Sequence, residues 1–289
     1  MTDTSIIHEL GDANGFAVVF YNGTPLARLM PEWWDVPARE RGLRLIGIDR
    51  PGYGNAPAAP NRSLRSVVEG TVALLDELDV GRFAAIGMSG GGPYALACGA
   101  FLPDRVAAVV TGAGSSGFDE EIDGGAFSPE ELELNREQAL RPTAEGRQAL
   151  GRLYDVEVEN LRSANVDGFM RAVGDDPATA TPERRATATY VLRAIQEAIR
   201  PGHDGWLDDG LAMFRPWGFE PTEIRPPVAV WHSEDDAMVS IEHARRLVAA
   251  IPSAEPFLVD GIGHGGVCCR QEVPMFDWVV STVPTAGRA

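Results

Sequence analysis

The sequence predicts an α/β fold: a mostly parallel central sheet with helices on both faces and an inserted helical cap. Three observations carry that expectation. Short apolar runs alternate with amphipathic stretches at both ends of the chain, which is the pattern of strand and crossover helix. One early run, Leu43 to Ile48, is nearly continuous in apolar residues, as a strand covered on both faces would be. Between about Gly117 and Gly202 strand-like runs vanish and charge rises, so a helical insertion divides the sheet.

Taken in order, Ser5 to Leu10 reads as a short strand, turned by Gly11 to Gly15 into a second strand at Phe16 to Tyr21. A helical segment is expected around Leu29 to Arg41, followed by the strand at Leu43 to Ile48, which stops at the turn-rich Asp49-Arg50-Pro51-Gly52-Tyr53-Gly54. From Ser63 to Leu78, apolar Leu64, Val67, Val68, Leu74, Leu75 and Leu78 share one helical face. Strands at Phe83 and at Val106 to Val110 flank an alanine-rich helix. In the insertion, Pro129 to Leu140, Glu145 to Leu161 and Pro182 to Ile199 have helical spacing, with caps at Ser128 and Thr181, and the acidic residues form a solvated face. The sheet resumes at Val228 to Trp231, then a helix through Ile241 to Ile251, a strand at Pro256 to Val259, and a last helix that turns Val273, Phe276, Val279, Val280 and Val283 inward. Residues 1–116 and 203–289 are therefore the expected core, and 117–202 the cap.

Composition narrows the function. At 289 residues and 44% hydrophobic content the chain can bury a full core. Its formal charge of −17 repels phosphate backbones and anionic lipid, so a small-molecule partner is expected, with neither nucleic acid nor membrane. The start, Met1 to His8, has neither a basic end nor a long apolar core, and no apolar stretch is long enough to span a bilayer. A soluble cytoplasmic protein is expected, with a homodimer left open. All 25 basic residues are arginine, which removes Schiff-base chemistry, a lysine base and a phosphate-binding lysine of the P-loop kind. Cys98, Cys268 and Cys269 form no C-x-x-C pair, and neither a metal nor a cofactor is expected.

The stretch Phe83 to Ala97 carries the chemistry. It reads as strand, sharp turn and helix, with Gly87-x-Ser89-x-Gly91 at the corner, the spacing that exposes a serine hydroxyl at a strand-to-helix turn. A helix cap is the bland role for that serine. His264 follows the last strand among glycines, whereas His8, His203, His232 and His243 read as structural or solvated. Arg50 suits either a substrate contact or a tie between two loops.

The chain resembles the α/β-hydrolase superfamily over nearly its whole length. The resemblance rests on Asn22-Gly23-Thr24-Pro25 in place of the usual His-Gly-x-Pro, on Asp49 to Gly54, on the Ser89 elbow, on Ser233-Glu234-Asp235-Asp236-Ala237-Met238-Val239 and on Gly263-His264. The order Ser, Asp, His is the family's own. The resemblance implies that Ser89 is the nucleophile, His264 the base and Asp236, rather than its neighbour Asp235, the acid. It places the oxyanion hole at the backbone N–H groups of Thr24 and Gly90, where one donor is worth about 3–4 kcal/mol of transition-state stabilisation. Asn22 departs from the family's histidine. A serine at the elbow argues against dehalogenase and epoxide hydrolase relatives, which carry aspartate there.

Carboxylic-ester hydrolysis through an acyl-enzyme is the leading expectation. Carbon–carbon hydrolysis or cyclisation by the same triad and a non-catalytic binding role are its alternatives. Trp33, Trp34, Phe118, Phe127, Met170, Trp206, Met213 and Trp217 are candidates to line an apolar pocket.

Overall fold

Among the residues described by the computed structural model, 4–123 and 128–283, seven strands build one sheet. They are β1 (Ile7–Gly11), β2 (Phe16–Tyr21), β3 (Leu43–Ile48), β4 (Phe83–Met88), β5 (Val106–Gly112), β6 (Val228–Ser233) and β7 (Ala254–Val259). Their spatial order is β1-β3-β2-β4-β5-β6-β7. Only the β1 and β3 pair is antiparallel, with Ile7 opposite Ile48. The other five pairings are parallel, so β2 to β7 all end at the same edge of the sheet. Loops that follow those ends are thereby brought to one side of the molecule.

Alternation along the strands feeds two cores. Ala17, Val19 and Tyr21 of β2 pack with α2 (Leu64–Glu77), α3 (Gly92–Phe101) and α10 (Ile241–Ala250) on one face. Phe16, Val18 and Phe20 pack on the other face with α1 (Asp35–Glu40), α11 (Gly263–Arg270) and α12 (Glu272–Thr282). Successive side chains of a strand point to opposite faces, which is why one strand supplies both layers. Every residue of β2, β4, β5 and β6 is buried, so these strands look uniformly apolar in the sequence.

Between β5 and β6 the chain forms α4 (Glu120–Asp123), α5 (Pro129–Leu140), α6 (Ala144–Ser163), α7 (Val166–Ala172), α8 (Pro182–Ala198) and α9 (Asp204–Met213). Ser128, Thr143, Asn165 and Thr181 cap α5 to α8 through their side chains. The helices are fastened to the core. Arg28 bridges Asp49 and Glu197 of α8 at 2.6 Å each. Arg270 of α11 donates to the Thr187 hydroxyl at 2.7 Å and the Glu183 carbonyl at 2.9 Å.

Some elements differ from the sequence-based expectation. The helix expected over Leu29 to Arg41 is confined to a 3₁₀ turn at Glu32–Trp34 and to α1. Pro31 explains the late start, since a proline disfavours helical backbone at the residue before it. Val273 is exposed rather than inward. The sequence pattern does not mark helices α4, α7, α9 and α11, and His264 stands in the first turn of α11 rather than in a glycine loop. Among the described residues no helix is long and apolar enough to cross a membrane.

Candidate active site

Ser89 follows β4 directly, in a 3₁₀ turn over Ser89–Gly91 that leads into α3. Its φ is +50°, in the left-handed region that disfavours a residue with a β-carbon. The strain is enforced by tight packing around the turn. A β-carbon on Gly87 would sit 2.3 Å from the Gly91 carbonyl oxygen, and one on Gly91 would sit 2.1 Å from the Tyr21 carbonyl oxygen. Glycine alone fits at both positions. Residues 83–88 are buried, while Ser89 and Gly90 are only half-buried.

Asp236, in the loop after β6, meets His264, in the first turn of α11 beyond β7. Asp236 Oδ2 lies 2.8 Å from His264 Nδ1, with the carboxylate fully buried and the imidazole 14% exposed. The other oxygen of Asp236 accepts the amides of Met238 and Val239 at 2.8 and 2.9 Å. Burial works against the charge on Asp236, but the hydrogen bonds from His264 and these two amides hold its carboxyl below the usual value. Burial also opposes the charge on His264, yet Cys268 and Asp236 beside the ring outweigh it and lift its pKa to about 10. Asp235 does a different job: it accepts from Ser233 Oγ and from the amides of Gly261 and Gly263, binding the β6 and β7 loops together.

Ser89 and His264 stand at the same sheet edge, and among the described residues no hydrogen bond joins them. Such contacts commonly tighten only when substrate is bound.

The loop after β2 abuts the elbow. A β-carbon on Gly23 would lie 3.1 Å from Ser89 Cβ, and one on Gly90 would lie 3.3 Å from the Thr24 nitrogen. The Asn22 side chain holds this loop's turn. Its oxygen accepts the Gly23 amide at 2.9 Å, and its nitrogen donates to the Leu29 carbonyl at 2.7 Å and to Tyr190 Oη of α8 at 3.0 Å. An asparagine thus has the acceptor and donors needed to tie the loop both locally and to the inserted helices.

Beneath the loop lies a carboxylate that sequence reasoning missed. Asp209 of α9 accepts from Thr24 Oγ1 at 2.8 Å, Tyr53 Oη at 2.9 Å and Tyr94 Oη at 2.7 Å, and pairs with Arg50 and Arg62. Arg50 is a tie between loops. The only sequence signal was a pair of acids, Asp208 and Asp209, between the core residues Leu207 and Leu211.

The apolar candidates do not converge on one place. Trp34 is a core residue, edge-on to both Phe20 and Phe276, with its Nε1 donating to the Cys269 carbonyl. Trp33 packs edge-on to Tyr190 and beneath Arg270. Trp206 packs on Tyr154, and Met170 is fully buried. Phe118, Met213 and Trp217 line a cavity of about 680 Å³ that includes none of Ser89, Asp236 and His264. Phe127 lies outside the described residues. Three of the four other histidines are engaged elsewhere: His8 with the Met30 amide, His203 with Asp155, and His243 with Ser116 and Asp123, whereas His232 lies 3.6 Å from Asp236.

Comparison with known proteins bears on the family and the fold. The family model described as alpha/beta hydrolase fold matches residues 17–267. A 2-hydroxy-6-oxononadienedioate/2-hydroxy-6-oxononatrienedioate hydrolase of Cupriavidus pinatubonensis is 28% identical over 233 residues, covering 79% of this chain and 72% of the relative. The dihydrolipoyllysine-residue acetyltransferase component of the acetoin cleaving system of Pseudomonas putida is 33% identical over 260 residues, covering 89% and 60%. Among solved structures, a thermophilic esterase from Thermogutta terrifontis superposes with a TM-score of 0.65 at 20% identity, covering 96% of this chain and 93% of its own.

Proposed function

Since the chain belongs to the alpha/beta hydrolase fold family, we propose that Ser89, His264 and Asp236 form a catalytic triad that hydrolyses a carboxylic ester or related acyl bond of a small substrate. The observation that carries the proposal is the 2.8 Å bond between Asp236 and His264 at the sheet edge where Ser89 is held in a strained turn. In this reading Asp236 fixes the Nδ1–H tautomer of His264, leaving Nε2 to take the Ser89 proton as Oγ attacks the substrate carbonyl carbon. The resulting oxyanion receives the N–H groups of Thr24 and Gly90. Collapse expels the alcohol, which takes its proton from His264. Water, deprotonated by the same imidazole, then attacks the acyl-enzyme and releases the acid, and Ser89 recovers its hydrogen. Helices α4 to α8, within residues 117–202, serve as the cap over the site.

The charge arrangement favours an uncharged acyl substrate. Arg28, Arg50 and Arg62, the arginines around the Asn22 to Thr24 loop, are each committed to a carboxylate. A second reading, hydrolysis of a carbon–carbon bond beside a carbonyl, draws on the name of the C. pinatubonensis relative. That name describes a dicarboxylate substrate, whose two charges would require uncommitted cations.

A fluorophosphonate probe tests the mechanism. It should label Ser89 in the wild type and leave Ser89→Ala unlabelled; a folded wild type that stays unlabelled overturns the serine mechanism. A panel of short- and medium-chain nitrophenyl esters, run beside 2-hydroxy-6-oxononadienedioate, separates the two readings. Turnover of the dienedioate alone would replace the ester reading with the carbon–carbon one.

A further inference from the structure

The buried pair of Arg50 and Asp209 lies directly behind the peptide that would stabilise the oxyanion. The Arg50 side chain is fully buried and that of Asp209 is 2% exposed. Arg50 donates from Nη1 to the Asn22 carbonyl at 2.6 Å, and from Nη2 to the Gly23 carbonyl at 3.3 Å and the Leu26 carbonyl at 3.2 Å. The carbonyl of Gly23 and the amide of Thr24 belong to one peptide unit, and among the described residues the only cis bond is the next one, Thr24–Pro25. In a planar trans unit C=O and N–H point in opposite directions. A guanidinium that grips the Gly23 carbonyl therefore turns the Thr24 N–H away from itself. A cationic donor on the carbonyl also polarises the unit, which strengthens the N–H as a donor.

Asp209 fixes the other end. It holds Arg50 through Nε at 3.1 Å and Nη2 at 2.6 Å, and it accepts the Thr24 hydroxyl at 2.8 Å. Tyr94 of α3, the helix that carries the elbow, donates to the same carboxylate at 2.7 Å. Oxyanion loop, elbow helix and α9 thus share one anchor. Burial alone would neutralise Asp209, but Arg50 and Arg62 hold it well below the usual carboxylate range, so it stays ionised.

Building on the serine-hydrolase reading, we infer that Asp209, acting through Arg50 and the Thr24 hydroxyl, is a positioning residue that aims the Thr24 amide at the developing oxyanion. It touches no reacting atom. Its contribution is to a donor that matters in the transition state more than in the ground state.

The test compares the full-length protein with Thr24→Val, Thr24→Ser and Asp209→Asn. Thr24→Val keeps the shape at residue 24 and deletes only the hydroxyl donor, so it serves even if Asp209→Asn fails to fold. For the best nitrophenyl ester, Thr24→Val should lower kcat by about tenfold, a fraction of the loss expected from deleting a whole oxyanion donor, while KM changes less than twofold. The inhibition constant of an alkylboronic acid, which places an anionic oxygen in the hole, should rise in proportion. Thr24→Ser should restore both, and folded Asp209→Asn should match or exceed the loss. A labelled, active wild type with unchanged kcat and boronate affinity in Thr24→Val overturns this inference alone. A wild type that neither labels nor turns over ester overturns the hydrolase reading, and this inference with it.

Discussion

Asp236 faces His232 at 3.6 Å through the same Oδ2 oxygen that binds His264. His232 is nevertheless no rival for the charge. Its Nε2 lies 2.9 Å from the Val239 carbonyl, which can only accept, so that nitrogen carries the hydrogen; burial then lowers the ring's pKa and keeps it neutral. The negative charge of Asp236 is left to orient His264 and to stabilise its protonated form. Asp236→Asn should therefore lower kcat by about 10³- to 10⁴-fold, the scale for loss of a triad carboxylate. Asp235→Asn, which only weakens the ties between two loops, should cost less than about tenfold. Steady-state kinetics of the two variants decide the assignment, and a larger loss in Asp235→Asn would reverse it.

The raised pKa of His264 has a kinetic consequence. In the proposed mechanism the imidazole must be neutral to take the Ser89 proton, so kcat/KM should rise with pH, and the acid limb should lie above the ordinary histidine value of about 6.5. Cys268 contributes to the upward shift through its electrostatic interaction and its side-chain hydrogen bond with the ring. Cys268→Ser should accordingly move the limb to lower pH, which a pH profile of both proteins would show. The same shift bears on stability. A folded-state value raised to about 10 stabilises the protein fully below about pH 6.5 and loses that contribution as pH climbs through 10. A limb at the same pH in both proteins would remove Cys268 from the account.

Much of this architecture was legible in the sequence because single-residue constraints wrote it there. Strands β2, β3 and β4 are buried along nearly their full length, so their apolar runs mark both ends. Gly87 and Gly91 are required by contacts that any side chain would violate, which makes the elbow readable as a string. What could not be read depends on distance in the chain. Asp209 meets Thr24 across 185 positions and Tyr94 across 115, and in sequence it resembles any acid on a solvated helix. Helix α11 was hidden for another reason. Three glycines in Gly263-His264-Gly265-Gly266 give it poor intrinsic propensity, and burial of Val267 and Cys269 helps hold it. The apolar pocket candidates failed to converge because tryptophans fill cores as readily as they line sites, as Trp34 does between Phe20 and Phe276.

Two glycines in similar sequence settings should respond oppositely to alanine. A methyl group on Gly91 would meet the Tyr21 and Asn22 carbonyl oxygens at 2.1 and 2.6 Å, both backbone atoms of β2 and its loop that cannot step aside cheaply. Gly91→Ala should destabilise the protein by about 1–3 kcal/mol, the range for overpacking a tight interior, and should depress activity by pushing the elbow off the Asn22 to Thr24 loop. Gly265, one residue beyond His264, has nothing within 4 Å of its β-position and lies in a helix. Gly265→Ala should leave stability unchanged or raise it by up to about 1 kcal/mol, the difference in helix propensity. Chemical denaturation of both variants measures the contrast, and equal midpoints would mean that the elbow is not packed as described.

The strain at Ser89 can be weighed directly. With φ at +50°, residue 89 suffers the steric penalty of any β-carbon in the left-handed region, about 1–2 kcal/mol. Ser89→Ala and Ser89→Gly both delete the proposed nucleophile and should both be inactive and unlabelled by a fluorophosphonate. They differ in that alanine keeps the strained β-carbon and glycine removes it. Glycine also frees the unfolded chain, which offsets part of the gain by roughly 0.5–1 kcal/mol. Ser89→Gly should therefore be the more stable of the two by about 0.5–1 kcal/mol, read as a higher denaturation midpoint at unchanged slope. Strain at this position would be a cost borne for exposing the hydroxyl. Equal or reversed midpoints would show that the turn around residue 89 relaxes once the hydroxyl is gone.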